Sequence, residues 1–594
     1  MLTIDGSFRE SARNFPDSVA MRYFQDDRWE QITYYEMNSA VNIIAYGLAD
    51  LGLDRQSKVA IMSENRPEWV VGYLSALSAS AITVPIDAVL GEIETEHILN
   101  HSEAETIICS MRCYEVIGRL MSVTPHLKNI IILDRNITIR YDHKGEGEGR
   151  ALAMYGRKKN GHKNFFSYDD LRERGIAQLS RGEFVFPEKS INDLASIIYT
   201  SGTTGAAKGV MLTHKNIMSN VDSVRQFIHL DSNDSFILLL PLHHTFPFTI
   251  CMVLPLAVGA IFSFVDIMSR DRSRLIMESK PTILVGVPLL FSKIYKGIMR
   301  QIETSKVKNF LYNYGGRKLI SMGLKKKLGG RLRIMVSGAA PMDPSVIEGF
   351  VELGIEFLEG YGLTETSPVV SANPIGNIRI GSIGIPIQGV QVKIDNPGPD
   401  GIGEIVIKGD NVMEGYYNNI EQTEQVLRDG WFYSGDLGKI DKDGYIFITG
   451  RAKDVIVNRG GKNVYPDGVE AEINKSKFIA ESIVLSYRTQ GLVGEDVGVL
   501  INPDYEYLIE YSRNNTITLS HEMDITRLTE EDKDELIEKF RSLLENEVRN
   551  SMEKLAHYQR VTRIGIERDE FIKTSTRKIK RFLYKGRLDI VDIG

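Results

Sequence analysis

From Tyr199 to Gly209 the chain reads Tyr-Thr-Ser-Gly-Thr-Thr-Gly-Ala-Ala-Lys-Gly, entered from the apolar run Ala195-Ser196-Ile197-Ile198 and followed by Val210-Met211-Leu212. Glycine lets the backbone adopt positive φ and approach a ligand closely, while Ser and Thr hydroxyls and successive N–H groups donate to phosphate oxygens. A loop of this composition with one lysine at its end suits a polyphosphate, and so a nucleotide. A flexible Ser/Gly/Thr surface turn has the same composition, but the flanking apolar runs set this loop between two ordered elements. It is not a Walker A loop, because Lys208 follows Ala207 and precedes Gly209 instead of standing in a Gly-Lys-Ser/Thr run.

Further short runs offer other chemical tools. Pro241-Leu242-His243-His244 ends a strand pattern and would set imidazole beside an apolar segment. Val336-Ser337-Gly338-Ala339-Ala340-Pro341 has small residues that let a flat ring approach the backbone. Gly360-Tyr361-Gly362-Leu363-Thr364-Glu365-Thr366 places an aromatic, a hydroxyl and a carboxylate in one turn. Tyr361 suits stacking on a base, Thr364 donation to phosphate, and Glu365 a hard cation such as Mg²⁺. Tyr433-Ser434-Gly435-Asp436 offers a carboxylate suited to a ribose diol. Taken singly, each run also reads as an ordinary turn, and a paired histidine as a structural one. The dense positive charge of Lys573-Thr574-Ser575-Thr576-Arg577-Lys578-Ile579-Lys580-Arg581 fits nucleic acid, an anionic membrane or simply a solvated surface.

The elements that must position these residues follow from hydrophobic periodicity. Helical spacing runs from Tyr34 to about Leu51 and from Pro67 to Ala79, with a buried-strand run at Val59-Ala60-Ile61-Met62 between them. Similar strand runs recur at Thr106–Ile108, Ile130–Leu133, Ile237–Leu240, Ile283–Val285 and Ile334–Val336, which is the mark of layered α/β structure with buried strands. The polar stretch from His143 to Lys163 reads as a solvated excursion. After about Gly381, short alternating strands such as Val390–Ile394 and Glu404–Lys408 suggest a small β subdomain over about 381–450. Beyond Gly450-Arg451, one strand and helix set, a charged helix from about Glu530 to Asn550 with a solvated face, and the basic end form a separate C-terminal domain.

A chain of 594 residues, 43% hydrophobic and 25% charged, is ordinary for a globular protein and too long for one core. A net charge of -7 argues against a nucleic-acid-binding task, and only Phe582 and Tyr584 stand as aromatics beside the basic tail. Cys109, Cys113 and Cys251 form neither an even framework nor a CxxC pair, which points to a reducing compartment and away from a metal site. No signal peptide is read at Met1–Asp5. Phe246 to Val265 carries no charge and has the length of a membrane span, but Pro247, Pro255 and Gly259 interrupt it and Ala260–Val265 has strand character. It is read as a buried helix followed by a buried strand.

These segments, in this order from about Ser7 to Arg581, resemble the adenylate-forming superfamily of acyl-CoA synthetases, luciferases and peptide-synthetase adenylation domains. Gly415-Tyr416-Tyr417, Asp429-Gly430-Trp431-Phe432 and Gly460-Gly461-Lys462-Asn463-Val464-Tyr465-Pro466 are most similar to long-chain fatty acid–CoA ligases. The resemblance implies an α/β fold: a large N-terminal domain, 1–451, of layered α/β subdomains with the small β subdomain, then a smaller, mobile α+β domain, 452–594. It implies an enzyme that activates a fatty acid with ATP and Mg²⁺ to acyl-AMP and transfers it to coenzyme A. Thr200, Ser201, Gly202, Thr203, Thr204 and Lys208 would hold the β- and γ-phosphates. Gly338, Ala339, Ala340, Glu359, Gly360 and Tyr361 would enclose the adenine. Thr364 would contact the α-phosphate and Glu365 the magnesium, Asp436 and Arg451 would fix the ribose, and His244 would lie near the reacting carboxylate. Phe246 and Phe248 would line the acyl pocket, with Phe248 as its gate. Lys453 would be the hinge, Arg459, Gly460 and Gly461 would meet coenzyme A, and Lys578 would bridge acyl carboxylate and α-phosphate.

Two residues depart from the family pattern before the catalytic lysine: Ile572 replaces a proline and Arg577 a glycine, while Ser434 stands for a common threonine. Competing readings are an acyl-carrier protein as thiol acceptor, a medium-chain or aryl acid as substrate, and a catalytically silent lipid-binding protein of the same fold. The cysteine usage points to a cytoplasmic chain, and a membrane-partitioning substrate makes peripheral contact at the inner face of a membrane reasonable. Monomer and homodimer are both compatible with the sequence.

Overall fold

The computed structural model describes residues 1–55, 57–134, 163–182, 186–200, 207–266, 269–488, 495–524, 527–573 and 579–588. The solvated excursion expected from His143 to Lys163 lies outside them except for Lys163 itself. The chain divides into two units: Met1–Val392 with Ile407–Tyr433 and Gly444–Ile446, and Lys393–Val406 with Ser434–Asp443 and Phe447–Gly594. The short strands expected between 381 and 450 form, and their residues are shared between the two units.

The first unit is built on two large sheets. One holds eight strands in the order Gly415–Tyr416, Lys208–Thr213, Leu194–Thr200, Ile82–Ile86, Lys58–Met62, Thr106–Cys109, Asn129–Ile132 and Asn164–Ser167. Its middle strands pair in parallel, and runs such as Asn129–Ile132 are buried at every residue. A sheet covered on both faces requires such continuous apolar strands, and each fully buried Ile or Leu contributes roughly 1.5–3 kcal/mol. The other sheet has nine strands, with Ser235–Leu238, Ile283–Gly286, Ile334–Ser337 and Glu356–Gly362 adjacent and parallel.

Helices start where side chains satisfy their first N–H groups. Thr33 and Glu36 form a reciprocal capping box before helix Tyr34–Asp50, and Thr213 and Asn216 do the same before helix His214–Ile228. Helix Pro67–Ser78 carries proline at its first position, where no N–H is needed. Cys109, Cys113 and Cys251 are buried and unbridged.

The apolar segment after Phe246 is helical, then a strand, but its prolines do not interrupt it. Helix Thr245–Phe248 continues through a π-helical turn, Thr249–Val253, into helix Leu254–Val258. Pro247 sits in the first turn and Pro255 near the start of the last segment, where a missing donor costs least. Gly259, at φ +76°, ends the run, and strand Ile261–Phe264 follows. Among the described residues, no helix is long and apolar enough to cross a membrane.

The second unit carries a three-stranded sheet, Ile479–Tyr487, Asp496–Pro503 and Arg563–Ile566, with helices Pro466–Ile473, Tyr505–Asn514 and Glu530–Ser551. The last helix buries Leu536, Phe540, Leu544 and Val548 on one face and, apart from the buried capping residue Asp532, turns its charges outward.

Candidate active site

The glycine-rich loop is the connection of a hairpin. Strands Leu194–Thr200 and Lys208–Thr213 pair antiparallel with Thr200 opposite Lys208. Ser201, Gly202, Thr203 and Thr204 lie outside the described residues. Both ends of the loop are held: His101 Nδ1 lies 2.7 Å from the Tyr199 hydroxyl, and His97 Nε2 lies 2.9 Å from the Ala207 carbonyl oxygen. Gly209 has no room for a side chain, since a Cβ there would lie 2.7 Å from Ile197 Cγ2.

Strand Gly415–Tyr416 adds to the edge of the same hairpin, Tyr416 opposite Val210. This brings the Tyr416 ring under Lys208, whose Nζ stands 5.0 Å from the ring centroid, and aims the hydroxyl at Glu365. The Tyr416 O–H donates to Glu365 Oε1 at 2.9 Å. Burial, then the Glu365 charge, push the Tyr416 phenol above its ordinary value, so it remains a donor. Glu365 sits in a single 3₁₀ turn, Thr364–Thr366. That turn is pinned by Thr366 Oγ1 donating to Pro368 O, by Asn411 Nδ2 donating to Thr366 O, and by Met413 N–H donating to Glu365 O.

Gly360 and Tyr361 are not in that turn, as the sequence suggested, but in strand Glu356–Gly362, with Tyr361 opposite Ser371. The neighbouring strand Ile334–Ser337 runs parallel with Ser337 opposite Glu359. Gly338, Ala339, Ala340, Glu359, Gly360 and Tyr361 therefore gather at the carboxyl ends of adjacent parallel strands, where open α/β sheets bind ligands. Ala339 holds φ +71°. Glu359 is buried, and its Oε1 accepts the Met342 N–H at 2.9 Å, tying down the far end of the 338–342 loop. Burial pushes the Glu359 carboxyl up to about 7 against that hydrogen bond. Gly338 does admit a flat ring, that of Phe246: a Cβ at 338 would lie 2.9 Å from Phe246 Cζ.

His244 is at the N-terminus of helix Thr245–Phe248. Its Nε2 lies 3.0 Å from His243 Nε2, which in turn lies 3.3 Å from Asp87 Oδ2. Burial by itself would raise the Asp87 carboxyl, but the His243 imidazole, then the Val89 N–H that donates to Oδ1 at 3.1 Å, and the more distant His244 hold it down to about 2. The expected gate residue Phe248 is fully buried, its ring 4.8 Å from that of Tyr73, which stacks on Trp69.

In the second unit, Arg451 Nε meets Asp436 Oδ1 at 2.9 Å. Tyr433–Asp436 is part of strand Trp431–Ile440, not a turn, although Gly435 takes φ +71° within it. Lys453 lies in the 3₁₀ turn Ala452–Asp454. Gly460 and Gly461 form the turn between strands Ile456–Val457 and Asn463–Val464, where Asn458 Oδ1 accepts from Gly460 N and Lys462 N, and Arg459 pairs with Asp496. Lys578 lies outside the described residues, but the ends of its segment do not. Lys573 and Ile579 form an antiparallel bridge, Lys573 Nζ meets Glu481 Oε2 at 2.7 Å, and Arg581 reaches Glu470 at 2.6 and 2.7 Å and Asp467 at 2.9 Å.

Sequence reasoning missed Tyr416 as a site residue, although it stands in a motif that signalled the family, and it missed Asp87, His97 and His101. No local pattern marks the last three, because their partners lie about a hundred or more residues away in the chain.

The AMP-binding enzyme family matches residues 8–417. The chain belongs to that family. It is similar to the peroxisomal long chain acyl-CoA synthetase 6 of Arabidopsis thaliana, 30% identical over 493 residues that cover 77% of this chain and 67% of that protein. It is also similar to the long-chain-fatty-acid–CoA ligase FadD15 of Mycobacterium bovis, 28% identical over 539 residues, 86% of this chain and 83% of that protein. Among solved structures, an anthranilate CoA ligase in complex with anthranoyl-AMP shares the fold, with a TM-score of 0.74 at 20% identity over 99% of this chain and 97% of that one.

Proposed function

We propose that this chain is an AMP-forming ligase that joins a long-chain fatty acid to coenzyme A through an acyl-adenylate. The carrying observation is the Lys208, Tyr416 and Glu365 constellation, in which the phosphate-loop lysine and the turn carboxylate are held by one tyrosine. Relatives with long-chain acyl-CoA ligase names support the substrate class.

In the first half-reaction a fatty carboxylate attacks the α-phosphorus of ATP and pyrophosphate leaves; in the second the coenzyme A thiol attacks the acyl carbon and AMP leaves. Lys208 and the loop before it bind the departing phosphates, and Thr364 the α-phosphate. Glu365 is a hard oxygen donor oriented by Tyr416, which suits Mg²⁺. When bound, that ion offsets the negative charge that builds on the phosphates. Gly338, Ala339, Ala340, Glu359, Gly360 and Tyr361 form the adenine side, with Glu359 acting through Met342 to set the loop. Asp436 and Arg451 fix the ribose. His244, steadied through His243 by Asp87, stands at the acyl carboxylate, and Phe246 and Phe248 begin the acyl pocket.

Carboxylates are weak nucleophiles, so holding the reactants in line supplies much of the acceleration. Lys578 stabilises the charge where carboxylate meets phosphate. It has no task in the thioester step, which gives a reason for a C-terminal domain, 452–594, that turns about Lys453 and presents Arg459, Gly460 and Gly461 to coenzyme A. We propose a cytoplasmic chain, and a substrate that partitions into bilayers supports peripheral contact with the inner face of a membrane.

Pyrophosphate release over saturated acids of graded length, with and without coenzyme A, tests the reading. Each methylene buried is worth about 0.8 kcal/mol, so kcat/KM rises steeply with length until the pocket is full. A flat profile from acetate to palmitate overturns the acyl assignment, and acceptance of holo-acyl-carrier protein in place of coenzyme A overturns the acceptor.

A further inference from the structure

Three consecutive helices of the first unit, Pro288–Glu303, Lys306–Asn313 and Arg317–Lys327, combine two properties that a solvated surface rarely combines. Their first property is charge. Residues 288–327 hold ten lysines and arginines against the single Glu303, in a chain whose net charge is -7. Arg317 is paired, to Glu352 at 3.2 Å. Among the described residues, Lys293, Lys296, Lys306, Lys308, Lys318 and Lys326 have no carboxylate partner within 4 Å.

The second property is exposed apolar surface on the same helices. Their inner face packs on the core through Phe291, Ile294, Ile298 and Leu324. Outside, helix Lys306–Asn313 buries no residue at all and exposes Val307 and Phe310, three apart, with Tyr314 just past its end continuing the apolar surface. Phe310 is 61% and Tyr314 76% exposed, and their rings stack on each other at 4.7 Å. Leu319 and Met322, again three apart, are exposed on the next helix. An apolar stripe with an aromatic tip, flanked by unpaired lysines, is the pattern of a helix that lies in a membrane interface.

We infer that residues 288–327 dock this protein on an anionic lipid surface, Val307, Phe310 and Tyr314 entering the headgroup layer and the lysines meeting lipid phosphates. An acidic protein partner would use the lysines but gives no reason for an exposed, aromatic apolar stripe between them. The inference rests on the proposed long-chain acid only for its purpose, because such a substrate is drawn from a bilayer.

Co-sedimentation of the full chain with phosphatidylcholine vesicles, with and without phosphatidylglycerol, is the test. Binding is expected to the anionic vesicles alone and to weaken at least tenfold between low and high salt. Two variants separate the contributions: Phe310→Ser with Tyr314→Ser, and Lys306→Glu with Lys308→Glu and Lys318→Glu. Acidic residues in a first helical turn favour the helix, so the charge reversal at 306 and 308 keeps the fold. Each set is expected to lower vesicle binding at least tenfold while ligase turnover on a dissolved acid without vesicles stays at the parent level. Equal binding to neutral vesicles, unchanged binding by both variants, or loss of holo-acyl-carrier protein binding in their place overturns the inference. Vesicle binding needs no turnover, so a chain that docks but fails to release pyrophosphate refutes the ligase reading and leaves the docking surface standing.

Discussion

Tyr416 donates its hydroxyl to Glu365 while its ring lies beneath Lys208, so one side chain sets the separation of a cation and an anion. Phe at 416 keeps the ring and removes the donor. Hydrogen bonds to charged groups are worth about 1.5–3 kcal/mol, so Tyr416→Phe is expected to lower kcat/KM for ATP at least tenfold and to raise the Mg²⁺ concentration needed for half-maximal rate. Tyr416→Leu loses the cation–π contact as well and falls further. If Tyr416→Phe titrates with Mg²⁺ as the parent does, Glu365 is not oriented this way.

Glu359 makes stability depend on pH in a particular direction. Its folded-state carboxyl titrates at about 7, above the unfolded value near 4.5. Between those values the folded state holds the extra proton, so this group's contribution falls as pH rises and is lost above 7. Glu359→Gln still accepts from Met342 and carries no charge. The variant is expected to gain roughly 3 kcal/mol over the parent at pH 8 and little at pH 5, read from denaturant midpoints. A gain that is the same at both pH values rules out a buried, titrating Glu359.

Asp87 behaves in the opposite sense. It is held at about 2, below the unfolded value near 3.8, so the stability it adds is present above that value and is lost as pH falls toward 2. Asp87→Asn is expected to cost about 2 kcal/mol at pH 7 and nothing at pH 2, and to slow adenylate formation because His243 no longer steadies His244. Unaltered adenylation with altered stability would confine Asp87 to a structural role.

Lys578 and Arg581 are three residues apart, and the proposed function gives the first to chemistry while the contacts of the second give it to folding. Arg581 is buried against Glu470 and Asp467, and burial raises both carboxyls while the arginine charge opposes it. Arg581→Met strands two acids and is expected to destabilise the second unit by about 3–5 kcal/mol. Lys578→Ala should leave the melting profile intact, cut acyl-adenylate formation on the order of a hundredfold, and spare thioester formation from supplied acyl-adenylate. Equal loss in both half-reactions would refute the proposed movement about Lys453.

Much of this fold is legible in sequence because buried parallel strands must be continuously apolar; Lys58–Met62, Thr106–Cys109 and Asn129–Ile132 lie within a residue or so of their sequence patterns. The charged helix Glu530–Ser551 was equally clear from its spacing. Glycine-bearing runs were harder. Gly360 and Gly435 suggested turns, yet both sit in strands, since ladder hydrogen bonds outweigh a glycine's freedom. Pro255 suggested a break, but a wider turn just before it absorbs the missing donor. Asp87 and Tyr416 gain meaning only from partners far away in the chain, and no periodicity carries that information.

The three cysteines have a consequence for a protein that makes activated acyl groups. Burial raises the Cys109, Cys113 and Cys251 thiols, so at neutral pH they stay protonated and poorly nucleophilic. An acyl-adenylate or thioester formed on this chain meets no sulfur of its own to acylate. Packing thus opposes acylation of the chain's own cysteines, and the accessible thiol is the one that arrives with the cosubstrate.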